Sequence, residues 1–363
     1  MKLLFYIFTL RGGGAERVLS SLVNGLVNRG YEVHLAVDTR QPIEYTIDNR
    51  VNIHSFFEND YVANNRIIYH WKFHKNLRTI ATTINPDIII SFMWGLNIHT
   101  LISTLGLTIP IICSEHFTFK KEKMSIYEYV IRFYFNKLAY KVTILTQEDY
   151  VYLGKRLKNK VVVPNPLHFS IFTEKTERKN IILAAGSLDR WKQKGFDNLI
   201  RIWGEIAKNY PSWNLEIAGA GTQDNFNYLK QLTKENNIED RVMFLGFNKD
   251  INKKMQESAI FILPSRSEGF GMVLLEAMSQ GSACISFDCH SGPKEIIHNG
   301  TDGILVKNQD LNEMKIALSN LIENNSLREK LAKNGLKKAE QFSLDQILDK
   351  WEILFREIKE NKR

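Results

Sequence analysis

Two glutamates, Glu268 and Glu276, stand eight residues apart in the run Ser265-Arg-Ser-Glu-Gly-Phe-Gly-Met-Val-Leu-Leu-Glu276. Carboxylates accept hydrogen bonds from hydroxyls, and two of them flanking one bond can divide acid, base and nucleophile roles. The first sits in a glycine-containing loop; the second falls on the second turn of the helical pattern that follows. Ahead of the loop, Ala259-Ile-Phe-Ile-Leu263 is a short apolar run suited to a buried parallel strand. A strand, a glycine loop and a helix start form an anion site, because free backbone N–H groups and the positive helix end face outward beyond the strand. Gly269 and Gly271 let this backbone, with Phe270 and Met272 between and after them, approach a ligand closely. A diphosphate at the helix tip leaves the two glutamates to hydroxyls on either side of it, which suits a nucleotide sugar. The competing use of the pair is as the two carboxylates of a glycoside hydrolase.

Other residues of chemical interest follow the same placement. Gly12-Gly13-Gly14 comes after the first apolar run and opens a helix, so its amides are placed for a phosphate or a sugar; the plain alternative is a strand-to-helix turn. Glu16 and Arg17 come next, either as acceptor contacts or as a first-turn charge pair. His116 follows Ile111-Ile-Cys-Ser-Glu at the end of a strand pattern, and Glu115 has the simple alternative of pairing with a nearby Lys. Arg190 and Lys194 lie in Gly186-Ser-Leu-Asp-Arg-Trp-Lys-Gln-Lys-Gly195, again after a strand. Expelling a diphosphate builds negative charge, and fixed cations aimed at it stabilise that state.

The elements that must position these residues alternate. Leu3–Phe8 precedes a helical pattern over 16–29, and strand patterns follow at 32–37, 87–92, 109–114, 141–145 and 160–163. A second series runs through 181–185, 213–218, 242–245, 259–263, 282–286 and 303–306. Alternation of this kind predicts parallel sheets wrapped by helices. The polar stretch 169–180 divides the two series. We expect an α/β protein of two doubly wound Rossmann-like domains facing a cleft, with ligands at the carboxyl ends of strands. The first domain spans 1–168 and the second 178–345, with a last helix over 346–363.

The 363 residues allow two ordinary domains, and 44% hydrophobic with 24% charged content is globular. Cys113, Cys284 and Cys289 have no metal-ligand or disulfide spacing and read as core thiols in a reducing compartment. The apolar start Met1–Leu10 runs into Arg11 and glycines without a cleavage pattern and reads as a first buried strand; no run reaches the length of a spanning helix. The formal charge of +8 is uneven: residues 1–170 carry 20 Lys+Arg against 13 Asp+Glu. Such an excess points to an anionic partner, and no nucleic-acid module is present. Residues 117–160 hold ten Lys+Arg against four acids, and Phe117–Tyr140 holds eight aromatics. This composition fits an interfacial helix on an anionic membrane; the alternative is one buried aromatic face and one solvated basic face.

The glutamate run resembles the E-x7-E motif of retaining glycosyltransferases of family 4, which have the GT-B fold. The resemblance extends over nearly the whole chain through Gly12-Gly-Gly-Ala-Glu-Arg17, Ser114-Glu-His116, Val163-Pro-Asn-Pro166, Gly186 to Gly195 and Gly219-Ala-Gly221. The first half is most similar to bacterial enzymes that extend glycans on a lipid carrier, the polymerising N-acetylgalactosamine transferases among them. The resemblance implies catalytic roles for His116, Glu268, Lys194 and Arg190. It implies donor contacts from Gly13, Gly14, Ser187, Gly219, Phe247, Gly269, Phe270, Gly271, Met272 and Glu276, and acceptor contacts from Glu16, Arg17, Lys120 and Lys121. The family usually has Arg directly after the glycine of the second domain's first strand; here Ser187 stands there, so either Arg190 reaches in from a longer loop or Lys192 assists Lys194. No D-x-D pair for Mn²⁺ or Mg²⁺ occurs, which fits a metal-free site with no cofactor beyond a UDP-sugar substrate. The implied acceptor is a lipid-linked glycan, the implied place the cytoplasmic face of the membrane, and the last helix crosses back to the first domain. A non-catalytic or epimerase-type nucleotide-sugar binder on the same fold is the alternative.

Overall fold

A computed structural model describes residues 1–57, 65–120, 124–174 and 176–360; Lys121 and Lys123 lie outside the described residues. The chain divides into two compact units, Met1–His168 with Leu344–Arg363, and Phe169–Ser343.

Strands of the first unit are β1 (Lys2–Tyr6), β2 (Glu32–Val37), β3 (Asn52–Ser55), β4 (Ile88–Phe92), β5 (Ile111–Ser114), β6 (Lys141–Ile144) and β7 (Lys160–Val162). They form one parallel sheet in the order β3-β2-β1-β4-β5-β6-β7. Its helices are α1 (Gly14–Asn28), α2 (Arg66–Ile84), α3 (Trp94–Ser103), α4 (Ile126–Phe133) and α5 (Gln147–Leu153), joined by the chain's last helix. The apolar runs of β1 and β4 are buried on both faces, with alternate residues going to opposite sides. Leu3, Phe5, Ile88 and Ile90 meet Leu19, Val23 and Leu26 of α1. Leu4, Tyr6 and Ile89 meet Phe73, Leu77 and Ala81 of α2. The edge strand β3, with the polar sequence Asn-Ile-His-Ser, carries no apolar periodicity and was not expected from sequence.

The second unit holds β8 (Lys179–Ala185), β9 (Asn214–Ala218), β10 (Val242–Gly246), β11 (Ser258–Leu263), β12 (Ala283–Phe287) and β13 (Ile304–Val306) in the parallel order β10-β9-β8-β11-β12-β13. Helices α6 (Trp191–Lys194), α7 (Phe196–Ile206), α8 (Gln223–Glu235), α9 (Ile251–Glu257), α10 (Met272–Ser279), α11 (Pro293–Ile296), α12 (Leu311–Glu323) and α13 (Asn325–Glu340) cover it. The last helix, α14 (Leu344–Glu360), belongs to the first unit. There Trp351, Leu354 and Phe355 join the α1 side of the core. Gly25 of α1 admits α14 closely, since a Cβ there would stand 2.6 Å from Leu348 Cδ1. Arg29 then holds α14 through Asp345, Asp349 and Glu352 at 3.0, 2.6 and 2.9 Å. Among the described residues no helix is long and apolar enough to cross a membrane.

The basic, aromatic segment after β5 divides in a way composition does not reveal. Arg132, one of its ten cations, is wholly buried: Nε donates to Glu115 Oε2 at 3.0 Å and Nη1 to Glu128 Oε1 at 3.1 Å and the Thr118 carbonyl at 2.9 Å. The guanidinium lies 3.9 Å from the Phe119 ring centre. Asn97 and Asn136 donate to the other Glu115 oxygen. Glu115 is therefore paired with an arginine from α4, not with a nearby lysine. Phe119 and Phe133 are core, whereas Ile126, Tyr127, Tyr134 and Leu138 are exposed. Removing one partner of a buried ion pair strands the other charge. Arg132→Met is accordingly expected to destabilise the folded chain by about 3–5 kcal/mol, read as a lower urea midpoint. A change below about 1 kcal/mol would show that the two asparagines alone satisfy Glu115.

Candidate functional site

In the second unit β8 and β11 are neighbours at the centre of the sheet, with β9 beyond one and β12 beyond the other. At such a switch point the loops leaving the two strands diverge and open a crevice. One loop is Gly186–Gly195 and the other Pro264–Gly271, and an ion pair joins them. Lys194 Nζ lies 2.8 Å from Glu268 Oε1, with side chains 15% and 8% exposed. Ser265 Oγ donates to the same oxygen at 2.6 Å. Glycines make the approach possible. The Lys194 methylenes pass over Gly186, where a Cβ would come within 3.2 Å of them. Gly195 closes α6 at φ 70°, and a Cβ there would fall 1.9 Å from the Pro264 carbonyl oxygen. Gly219, after β9, sits equally close beneath the Gly186 carbonyl.

Arg190 is exposed at the end of a 3₁₀ turn, and its Nε donates to Gln193 Oε1 at 2.9 Å. Gln193 Nε2 in turn donates to the Ser267 carbonyl at 3.2 Å, so Arg190 is tethered one residue from Glu268. Lys192 and Ser187 are exposed. Arg266, not singled out from sequence, clamps Asp197 with two bonds of 2.7 and 2.8 Å, and its amide donates to the Gln193 carbonyl. Its signal was only its position inside the glutamate run.

Gly271, at φ 90°, turns the chain into α10, whose first amides receive no side-chain cap. Met272 is half-buried there, and Glu276 on the second turn is buried. The Phe270 ring enters the core against Phe342 at 5.7 Å, which leaves its backbone as the part that a ligand can meet. Gly292, at φ 107°, backs the loop, since a Cβ there would stand 2.0 Å from the Phe270 carbonyl oxygen. Gly269 is half-buried, and its carbonyl accepts from Ser291 Oγ. Phe247, just beyond β10, is 72% exposed, an apolar ring open to a flat partner.

In the first unit β1 and β4 occupy the corresponding central positions. After β1, the Gly12 amide donates to Glu44 Oε2 at 2.7 Å and the Gly13 amide to the Arg11 carbonyl at 2.5 Å. Tyr45 donates to the Gly13 carbonyl. Two of the three glycine amides are thus satisfied within the chain, while Gly14 is exposed and opens α1. The Glu16 carboxylate lies over Gly13, where a Cβ would be 2.0 Å from Oε2, and burial raises its pKa. Arg17 sits 5.9 Å from the Tyr45 ring centre. Lys120 is exposed, and Lys121 is outside the described residues.

His116 follows β5. Its ring stacks on Phe92 at 4.7 Å, Nε2 lies 3.1 Å from Ser114 Oγ, and Nδ1 is sealed from solvent beside Asn165. Burial lowers its pKa to about 4, so the imidazole is neutral at pH 7 and offers one donor and one acceptor. Met93, after the adjacent β4, holds φ 75°, a strained conformation for a residue with a Cβ. Its amide donates to the Ser114 carbonyl.

Two doubly wound parallel units, each with glycine turns and polar groups beyond its central strands, define the GT-B architecture. Residues 12–197 match Glycosyltransferase Family 4, and residues 169–338 match Glycosyl transferases group 1. The chain belongs to glycosyltransferase family 4 and is a glycosyltransferase. It is 30% identical over 351 residues to the amylovoran biosynthesis glycosyltransferase AmsD of Erwinia amylovora, covering 93% of this chain and 95% of that one. It is 27% identical over 366 residues, 99% of each chain, to the GalNAc-alpha-(1->4)-GalNAc-alpha-(1->3)-diNAcBac-PP-undecaprenol alpha-1,4-N-acetyl-D-galactosaminyltransferase of Campylobacter jejuni. The solved structure of HepE from Anabaena, in complex with UDP, has the same fold, with a TM-score of 0.80 at 19% identity over 98% of this chain and 100% of that one.

The half-buried histidine has a measurable consequence. Its pKa is 6.5 in the free state and about 4 when folded, so the unfolded chain binds more protons between those values. Stability from neutral His116 is full above pH 6.5 and is lost as pH falls toward 4. The urea midpoint is expected to fall over this window, and His116→Asn to flatten the slope by up to about 1.4 kcal/mol per pH unit. A slope identical in the variant would mean that His116 titrates normally.

Proposed function

We propose that this chain moves a hexose or N-acetylhexosamine from a UDP-sugar to a hydroxyl of a lipid-linked glycan precursor, with retention of anomeric configuration and without a metal ion. The observation that carries the reading is the Lys194–Glu268 pair beside the uncapped start of α10. In this reading the diphosphate lies against the first amides of α10, whose partial positive charge favours an anion. Glu276 accepts from the ribose hydroxyls. Glu268, with Lys194 and Ser265 both on Oε1, directs its other oxygen to the transferred sugar. Phe247 offers its exposed ring to the base.

The acceptor oxygen attacks the anomeric carbon from the leaving-group face. The bond to the β-phosphate breaks, and the acceptor proton passes to the departing phosphate oxygen. No protein nucleophile forms a bond. Lys194 balances the charge that grows on the phosphate, with Arg190 available through its tether on Gln193. Neutral His116 exchanges hydrogen bonds with a sugar hydroxyl, Gly13 and Gly14 serve the donor, and Glu16, Arg17 and Lys120 serve the acceptor. A lipid-linked acceptor is supported by the likeness to the undecaprenol-linked Campylobacter enzyme and by the basic, partly apolar surface after β5. In this reading the chain works as a peripheral protein at the cytoplasmic face of the membrane.

Glu276→Gln is expected to fold and to weaken UDP binding by calorimetry by about 1.5–3 kcal/mol, the worth of hydrogen bonds to a charged acceptor. Unchanged affinity would remove Glu276 from the donor site. Transfer in excess EDTA is expected to match transfer without it, and Lys194→Met to lower kcat by about 10²–10³. Activity lost to EDTA and restored by Mg²⁺ or Mn²⁺ would overturn the metal-free reading. UDP-sugar bound but transferred to no lipid-linked acceptor would leave a nucleotide-sugar binder.

A further inference from the structure

Both members of the Lys194–Glu268 pair stand on backbone that cannot hold itself in place. Lys194 ends α6, a single turn of four residues, and one turn of helix is not stable without outside contacts. Glu268 lies in the loop Pro264–Gly271, which belongs to no helix or strand. The nearest rigid element in the chain is α7, an 11-residue helix whose Phe196, Leu199, Ile200 and Trp203 are buried in the core of the second unit.

Arg266 ties both segments to that helix. Its guanidinium grips Asp197, in the first turn of α7, with Nη1 to Oδ1 at 2.7 Å and Nη2 to Oδ2 at 2.8 Å. Nη1 also donates to the Lys192 carbonyl, and the Arg266 amide donates to the Gln193 carbonyl at 2.8 Å. One residue, two positions before Glu268, thus bonds Lys192, Gln193 and Asp197 on the stretch that carries Lys194. The fork is partly withdrawn from water, with side chains 31% and 8% exposed. A planar guanidinium meets a carboxylate at two points, a match that a lysine ammonium cannot copy. The next residue of α7 supports the same loop: Asn198 Nδ2 donates to Gln309 Oε1 at 3.0 Å, and Gln309 Nε2 donates to the Ser265 carbonyl at 3.3 Å. Gln309 does so at φ 59°, a costly conformation for a residue with a Cβ.

From this geometry we infer that Arg266 and Asp197 are positioning residues for transfer: their fork sets the separation and direction of Lys194 and Glu268, and it touches neither donor nor acceptor. This role rests on the reading of Lys194 and Glu268 as the charged pair of the transfer. The face of the guanidinium that could grasp a phosphate is occupied by Asp197. Electrostatic stabilisation of a departing phosphate depends on groups already fixed in place, so a small displacement of the pair is costly in rate. Nucleotide binding through Glu276 and the first amides of α10 does not pass through the fork, so its loss is felt in kcat rather than in affinity.

The test uses the full chain and the one donor, among UDP-glucose, UDP-galactose, UDP-N-acetylglucosamine and UDP-N-acetylgalactosamine, that it transfers to a polyprenyl-diphosphate-linked glycan. Arg266→Lys and Asp197→Asn are each expected to lower kcat about 10- to 100-fold, with donor KM and UDP affinity within about twofold. Arg266→Lys keeps a cation beside Asp197, so no buried charge is stranded and the urea midpoint is expected to hold. The two substitutions together are expected to cost less than about twofold beyond either alone, since they sever one contact. In a Lys194→Met chain, Arg266→Lys is likewise expected to cost less than about twofold more, because the fork acts through the pair. A weaker UDP affinity at unchanged kcat would make Arg266 a donor contact and overturn the inference. So would an Arg266→Lys loss that multiplies with that of Lys194→Met, the mark of general loosening, or unchanged kcat in Arg266→Lys where Lys194→Met slows transfer. Unchanged kcat in Lys194→Met itself would overturn the reading of the pair, and the positioning role with it.

Discussion

The ion pair between Lys194 and Glu268 is the contact on which the second unit's polar end is organised. It joins the loops that follow β8 and β11, two strands adjacent in the sheet although 72 residues lie between Ala185 and Ser258. A lysine and a carboxylate that are largely withdrawn from water hold each other only where the backbone allows a near approach. That approach depends on positions where a Cβ has no room: Gly186 under the lysine stem, Gly195 against Pro264, and Gly219 against Gly186. Ser265 completes the shell of Glu268, and the Arg266–Asp197 fork holds the loop from its other side. The carboxylate and the ammonium are therefore oriented before any ligand arrives, which is the condition for electrostatic stabilisation without reorganisation.

The first unit solves a similar problem differently. Its polar strand ends are supported from below by Arg132, a fully buried guanidinium that carries Glu115, Glu128 and two backbone carbonyls. Glu115 immediately precedes His116, so the position of that ring is coupled to a charge network in the core. The histidine itself contributes no charge at neutral pH. It sits between an aromatic face and two side-chain hydroxyls or amides, an environment that presents a hydrogen-bonding edge and little else. Catalysis of the proposed kind draws on placement and on fixed charge.

Charge is also partitioned by depth. The same basic segment contributes one arginine to the core and several lysines to the surface, and its aromatics divide likewise. Counting residues along the segment merges these populations, because a helix of eight residues such as α4 turns successive side chains toward core and solvent in turn.

Much of the molecule was legible in the sequence. Short apolar runs such as Ile88–Phe92 and Ala259–Leu263 read as buried strands, and the glycines after Leu263 announce a turn into a helix. The E-x7-E spacing placed Glu268 in a loop and Glu276 on the second turn of α10, because strand, turn and helix geometry are local properties. The strand β3 is not legible in the sequence, because a polar edge strand has no period to read. Tertiary structure alone decided that Lys194 meets Glu268, that Arg190 is tethered to Gln193 and that Arg132 is core. These are pairings between segments distant in the chain. A sequence states which charges exist and in what local conformation, but their partners follow from strand order and loop contact, which no local pattern encodes.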